Sequence, residues 1–445
     1  MAHIIINKTL LCSLLGGMIS VSSLAQNMST AENNQESNQV TLSAKVYTLE
    51  QCMAEALSNN LKLHNADKQI QMSAEQRKEA YTKYFPTVSA MGLGYMADKG
   101  LVQMDLGGGM VMSMLKHGTT ASVTAMQPVF AGGQIVNGNK LAKVGEDVSR
   151  LQRGLTENEI RINVENYYWQ AVMFKEKLKT LGQVEKQLQE VKKDAQAAVD
   201  AGIRNRNDLL QVKLRHNETK TSKIQIENAL QTVGDMLAQI MGHPGENIDV
   251  CDMEVKADSP RQLFIAPELA LPQTNEYKLL NKQVEADKLQ YKMSVGKNLP
   301  SIAVGGGYIY NHLMDKSQNN LVGMLTVSVP ISSWWGGSHD IKRQKLQMES
   351  SLDDKQNQSE MLVIRMRKAW NDLNDAHRQV AIAQESIAQS EENLRLNTDY
   401  YQAGTSTISD VLDAQTLYQQ SRDKYVESVA KYQIKKREYL QATGR

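Results

Sequence analysis

The stretch AGIRNRNDLL at 201–210 returns as AGTSTISDVL at 403–412, and this recurrence decides the fold. Gly202 maps onto Gly404, a shift of 404 − 202 = 202 residues, and the same shift carries Pro128 onto Pro330 and Gly242 onto Gly444. Further upstream, KYFPTVSAMGLGY (83–95) matches GKNLPSIAVGGGY (296–308) with a small change of register. Landmarks that recur at one spacing mark a duplication. The chain is therefore two copies of one unit, not the two or three unrelated domains that 445 residues would permit.

Proline marks the boundaries inside each copy. Pro86, Pro128, Pro300 and Pro330 flank four windows without Asp, Glu, Lys or Arg, at 87–97, 119–130, 301–311 and 321–335. Pro244, Pro260, Pro267 and Pro272 all fall between the copies. Each window is about ten residues long, the length of a tilted strand that crosses a bilayer. Their edges carry Phe85, Tyr95, Phe130, Tyr308, Tyr310, Trp334 and Trp335, as an interfacial girdle of aromatics requires. A soluble sandwich would place Lys and Glu on its outer faces, and these windows hold none.

The rest reads as long helices. Nothing stops a helix strongly between Gly132-Gly133 and Gly202, or between Gly336-Gly337 and Gly404. Apolar or small residues at Leu178, Leu181, Val184, Leu188, Val191, Ala195 and Ala198 step by three or four. So do Met366, Ala369, Leu373, Ala376, Val380, Ala383 and Ile387 in the second copy, near the coiled-coil period. Roughly 60 residues at 1.5 Å each predict helices about 90 Å long. Shorter helices at about 48–84 and 206–241 are expected to stack end to end beside the first of them.

Composition narrows the chemistry. Fifty Lys and Arg against 49 Asp and Glu leave no basic excess for nucleic acid. The eight histidines are scattered and form no HExxH, and Gly107-Gly108-Gly109 and Gly305-Gly306-Gly307 lack the Lys-Ser/Thr of a phosphate loop. No catalytic site, cofactor or metal centre is expected. Met104, Met110, Met112 and Met114 offer thioethers suited to copper(I), but their alternation reads more simply as one strand face extending outward. The only long apolar run, Thr9–Ala25, completes a secretory signal peptide over 1–25, with Lys8 ahead of it and Ser23-Leu24-Ala25 at the cleavage site. A polar segment, 26–46, follows. The first repeat spans 47–242, a linker 243–273, and the second repeat 274–445. Cys52 and Cys251 remain after cleavage in an oxidising compartment, where both a disulfide and free thiols are open.

Four strands cannot close a barrel, and lipid forbids an open sheet edge. The chain must oligomerise, and three copies would give twelve strands. At this point the sequence resembles the TolC-like outer-membrane efflux protein family, over essentially everything from about residue 47. The resemblance is carried by TLEQCMAEALSNNLKL (48–63), the paired strand motifs and YQAGTSTISDVLDAQTLY (401–418). It implies a mainly helical homotrimer with a twelve-stranded outer-membrane β-barrel, four strands per chain, set in outer-membrane lipid. It also implies a long periplasmic coiled-coil α-barrel and docking to a periplasmic adaptor protein and an inner-membrane pump.

On that resemblance, Asp410 and Asp413 match the acidic positions that ring the periplasmic constriction. Three residues apart, they share a helical face, and three chains would crowd six carboxylates, favouring cations and raising some pKa values. An ordinary helix start also places acids there. Asp208 and Tyr401 match a closed-state latch across the tips, while the family's closed-state arginine falls at Ser406, leaving Arg204 and Arg206 as substitutes. Gly202 and Gly404 mark tight turns where an adaptor would dock. The expected function is the exit duct of a tripartite efflux system. The alternatives are the duct of a type I protein secretion system and, in another class, a pore-less coiled-coil scaffold.

Overall fold

The structure, a computed structural model, describes residues 45–445 apart from 106, 109–110, 253–257, 314–315 and 332. The expected signal peptide and all but the last two residues of the 26–46 segment lie outside the described residues, as does Met110.

The first copy opens with β1 (Lys45–Tyr47), α1 (Leu49–Asn59) and α2 (Leu61–Thr82). It rises through β2 (Thr87–Met96), a small hairpin of β3 (Val102–Asp105) and β4 (Val111–Met114), and returns through β5 (His117–Ala131). The helices α3 (Gln134–Asp200) and α4 (Arg206–Ile240) complete it. The linker holds β6 (Ile248–Val250), two 3-10 turns and α5 (Pro267–Ala270). The second copy runs α6 (Asn275–Lys297), β7 (Ser301–Leu313), β8 (Lys316–Ser328), α7 (Ser333–Gln402) and α8 (Ile408–Ala442). At 67 and 70 residues, α3 and α7 are each about 100 Å long.

The duplication holds at the level of single hydrogen bonds. Each of α3, α4, α7 and α8 is followed by a left-handed glycine: Gly202, Gly242, Gly404 and Gly444, all with φ between 70° and 83°. At Gly202 the Ile203 N–H reaches Ala198 O and the Gly202 N–H reaches Val199 O. Thr405 to Tyr400 and Gly404 to Tyr401 repeat the pattern at the second tip, the Schellman closure that satisfies a helix's last carbonyls. The N-caps of α4 and α8, Asn205 and Thr407, again stand 407 − 205 = 202 residues apart.

The short helices do stack beside the long ones. α2 and α4 both lie along α3, and α6 and α8 along α7. Within the first copy the junction is Asn60, which ends α1 and separates it from α2. Its Oδ1 accepts from the Lys62 N–H, and its Nδ2 donates to the Ile240 carbonyl at 2.8 Å, where α4 ends. Beside this junction, α1, β1 and β6 pack on α3 and the end of α4, with Cys52, Ala56, Ile160, Val164, Tyr168 and Leu237 buried between them. Of the two states left open for Cys52 and Cys251, the structure holds the unpaired one. Cys52 and Cys251 are free thiols, and burial pushes the Cys52 thiol up to about 12.

Two further expectations shift. The fourth strand is 316–328, not 321–335, so Trp334 and Trp335 lie in the first turn of α7. Gly336 and Gly337 lie inside α7 instead of ending at its threshold. Gly337 is there for packing: a β carbon would collide with the Asn298 side chain. The loop between β2 and β5 holds a separate hairpin in which Met104 registers with Met112, not a simple extension of the sheet.

Asn60→Ala removes a helix cap and strands a buried carbonyl, a loss of about 2 kcal/mol. A lowered thermal midpoint in detergent is expected, and an unchanged midpoint would refute the junction's role. A second expectation concerns Glu165, partly buried on α3 with the Arg437 Nε of α8 at 3.8 Å, too far for a hydrogen bond. Burial raises this carboxyl to about 7 against the partial opposition of Arg437. Because the folded pKa exceeds the unfolded one, stability falls as pH climbs from the ordinary carboxylate range to about 7. Glu165→Gln should flatten the midpoint's decline between pH 5 and pH 8. Equal slopes in variant and parent would show that the group ionises normally.

Candidate channel: the four-stranded sheet and the helical tips

The sheet runs β2-β5-β7-β8, antiparallel throughout, so the two copies join in one sheet through the β5–β7 pair. Residues directly opposite in register share a face. Ala90, Val123, Tyr308 and Leu321 form one row across all four strands, next to Val88, Ala125, Gly306 and Gly323. The alternate rows are Ser89, Thr124, Gly307 and Val322, then Met91, Ser122, Ile309 and Asn320, then Leu93, Thr120, Asn311 and Gln318. One face is therefore apolar and the other rich in hydroxyls and amides, with Ser89 and Thr124 hydrogen-bonded at 3.0 Å. Stretches 87–95, 118–131, 301–313 and 317–328 contain no Asp, Glu, Lys or Arg. This period-two division is that of a membrane strand, lipid-facing on one side and lumen-facing on the other.

Crowding separates the faces too. On the polar face a β carbon at Gly307 would meet the Thr124 methyl at 2.7 Å, and one at Gly305 would strike the Met126 sulfur. On the apolar face Gly92 and Gly323 meet nothing within 4 Å. Convergence on one side is what the concave surface of a curling sheet produces.

Most of the seven aromatics expected at the strand edges lie at the helix end of the sheet or on its apolar face. Phe130 pairs with Ile302 and so shares the apolar face at the helix end of the sheet, after a bulge at Pro128. Tyr308 and Tyr310 mark the same face six to eight residues along β7, roughly 20–25 Å away. Phe85 lies in the turn before β2, its ring edge-on to Tyr81. Trp334 donates its Nε1–H to Asn298 O at 3.1 Å, and Trp335 is 78% exposed beside it. Tyr95 differs. It pairs with Gly118 and packs toward Leu313, which puts it on the polar face, and a girdle facing lipid cannot include it.

Both tips pack as one unit, with Val184, Leu188 and Leu209 of the first copy against Ile408, Val411 and Leu412 of the second. Asp410 and Asp413 are exposed, on the side of α8 away from this cluster. Asp410 is also the third residue of α8 and completes a capping box with the N-cap Thr407. Its carboxylate accepts from the Thr407 hydroxyl and N–H and from the Ser406 hydroxyl at 2.7–2.9 Å, and these donors hold it below the usual carboxylate range. Within one chain the shift is thus opposite to that expected from crowding.

No hydrogen bond joins Asp208 to the Tyr401 hydroxyl among the described residues. The tips are tied instead by Arg204, whose guanidinium lies 4.6 Å from the Tyr401 ring centroid and donates to the Tyr401 carbonyl at 3.1 Å. Asp208 stays near enough to raise the Tyr401 pKa, although burial is the larger cause and Arg204 opposes both. Arg206 forms no comparable bridge among the described residues.

An uncharged, two-faced sheet carried on helices of about 100 Å defines the protomer of a TolC-like channel. The outer membrane efflux protein family matches residues 52–243 and 274–445, nearly the two repeats entire, and the chain belongs to that family. The family is one of channels, not of enzymes. Solved structures share the fold at low identity. The CmeC outer membrane channel of Campylobacter jejuni superposes with a TM-score of 0.77 at 15% identity, covering 89% of this chain and 85% of that one. VceC of Vibrio cholerae gives 0.76 at 12%, covering 89% and 96%. The open state of the MtrE outer membrane channel of Neisseria gonorrhoeae gives 0.71 at 16%, covering 89% and 88%. No curated protein matches the chain by sequence.

Arg204→Ala removes a cation–π contact and a charged hydrogen bond, together worth about 1.5 kcal/mol. Amide exchange at both tips should accelerate about tenfold. Acceleration confined to the 199–206 tip would show that Arg204 does not hold the second one.

Proposed function

We propose that this chain is one third of an outer-membrane exit duct for small molecules, working with a periplasmic adaptor and an inner-membrane pump. The carrying observation is the four-stranded sheet: apolar on one face, polar on the other, free of Asp, Glu, Lys and Arg but for Lys316 at the first position of β8, and open at both β2 and β8. In hydrocarbon those edges need partners. Two chains would give eight strands, whose interior side chains fill, leaving no passage; twelve strands are the next multiple of four and leave a polar lumen. The long helices then continue the barrel into the periplasm as a coiled tube.

In this reading, Asp410 and Asp413 ring the periplasmic mouth. Three copies set six carboxylates round the axis, and such a ring selects cations. The capping hydrogen bonds at Asp410 oppose the protonation that crowding favours. Tip turns at Gly202 and Gly404 present short, tightly closed loops to the adaptor. Arg204 serves as the intra-chain latch in the closed state.

Light scattering of the mature protein in detergent should give a trimer, and planar bilayers should show cation-preferring conductance. Asp410→Ala with Asp413→Ala should weaken that preference and relieve block by multivalent cations. A detergent-free monomer or dimer would overturn the duct, whereas unchanged selectivity in a conducting trimer would overturn the acidic ring alone.

A further inference from the structure

Beneath the sheet, a groove of about 630 Å³ opens between α2 and α3. It is lined by Arg77, Lys78 and Tyr81 on α2, by Tyr84 in the turn that follows, and by Lys140 and Lys143 on α3, with Glu146 at its far end. Arg77 is committed to Glu146 at 3.0 Å and Lys78 to Glu75 at 2.8 Å. Lys140 and Lys143 are exposed and form no ion pair among the described residues. The groove thus carries two uncompensated ammonium groups beside a wall of tyrosine, with Tyr81 and Tyr84 stacked edge-on at 5.4 Å.

We propose that this groove binds the head group of an anionic phospholipid from the periplasmic leaflet of the membrane that holds the sheet. The proposal rests on the duct reading, and three observations carry it. The first is depth. Tyr84 stands three residues before the first residue of β2, and Val136 five after the last of β5, so the groove begins where the strands end. Phe85, Phe130 and Trp334 mark that same level. Phosphates lie within several ångströms of the hydrocarbon boundary, and basic pockets between helices at that depth suit anionic head groups.

The second observation is the side on which the groove opens. Val136, Lys143, Arg150, Glu157, Val164 and Ala171 are spaced by seven and so form one stripe along α3. At its lower end Val164 and Ala171 are covered by the layer of α1, β1 and β6. A conducting tube must carry that layer on its outside. The stripe, and the groove with it, faces outward. The groove also lies between two helices of one chain, on the inner side of α2, whose other side continues the β2 edge that a neighbour would occupy. Directly above it the apolar face of β2 and β5, with Val88 and Val123, offers a wall to the acyl chains.

The third observation comes from the duplication. Lys140 and Lys143 shifted by 202 fall on Lys342 and Lys345, exposed in the matching part of α7. Both copies keep the pair, so three chains would ring the membrane boundary with twelve lysines. An ammonium pair with a tyrosine hydroxyl beside it recognises a phosphodiester. The apolar wall above then separates a lipid from a free phosphate.

The test is native mass spectrometry of the detergent-purified mature trimer with dioleoyl phosphatidylglycerol, dioleoyl phosphatidylcholine or inorganic phosphate added. Phosphatidylglycerol should be retained in preference to phosphatidylcholine and should not be displaced by phosphate. Lys140→Gln with Lys143→Gln should weaken retention about 30-fold, as expected for two lost surface charges. Lys140→Arg with Lys143→Arg should keep it. Equal retention of the two lipids, no loss in the Gln variant, or full displacement by phosphate would each overturn the proposal. Conductance of the same preparations in planar bilayers separates the outcomes. A conducting trimer without lipid preference removes only this site, whereas a protein that neither trimerises nor conducts removes the duct.

Discussion

The unpaired backbone edge of β2 and β8 is the constraint on which the rest of the structure depends. In water those N–H and C=O groups would find partners. Within hydrocarbon each would cost several kcal/mol, and the strands are long enough for most of the edge to lie there. A soluble chain protects such an edge with charge, proline or a bulge that twists it away. This sheet does none of that at its margins. Lys316 apart, at the first position of β8, the two strands carry no charged residue, and Val88 and Met91 on β2 and Leu325 and Val327 on β8 are exposed apolar side chains, surfaces shaped for more protein and for lipid. The interior β5–β7 seam meets the same requirement inside the chain, where the end of one copy pairs with the start of the other.

From that edge the helices follow. Each strand pair hands over to helices at both ends, so the spacing of the strands sets the spacing of α2, α3, α6 and α7 below. Tight handovers reflect this. At Gly132 and Gly296 the two backbones approach so closely that no β carbon fits at either position. Further down, the short helices must end where their stacking partners begin, and the paired glycine closures at Gly242 and Gly444 achieve this at the same place in each copy. The cost of ordering such long helices is met by packing along their apolar seams, since isolated propensity alone would be insufficient.

Much of this was legible in the sequence because it is written in periodicities. A shift of 202 residues identified the duplication, and α4 and α8 obey it at both ends: 206 and 408, 240 and 442. Charge-free windows located the strands. The failures lie where a local signal competes with tertiary contact. KSQNN (316–320) lacks an apolar alternation, yet it is strand because β7 supplies its hydrogen bonds. The Trp-Trp-Gly-Gly run looked like a strand end followed by a helix break, but the indole bond to Asn298 and the close approach of Gly337 let α7 begin at Ser333. Tyr95 read as a girdle member from its position at a window's edge. Which face it takes is a matter of parity, and parity becomes visible only once the pairing register is known.

The tips show how duplicated halves acquire different tasks. Asp208 and Asp410 are equivalent, each three residues after an N-cap, but only Asp410 completes a reciprocal capping box, with Ser406 adding a second hydroxyl donor to that of Thr407. Ser406 occupies the position where the family resemblance leads one to expect an arginine, and there it serves its own helix instead of reaching across. In the other copy a cation stands at the equivalent position: Arg204 sits two residues after Gly202, as Ser406 does after Gly404, and reaches the last turn of α7. Exchange of this kind is available only in a repeat, because the two tips already pack face to face and either can donate the bridging side chain. The bridge also explains why Tyr401 needs no bond from its hydroxyl to Asp208. Its ring faces the guanidinium and its carbonyl receives the guanidinium's proton, so Asp208 remains a neighbouring charge without becoming the clasp.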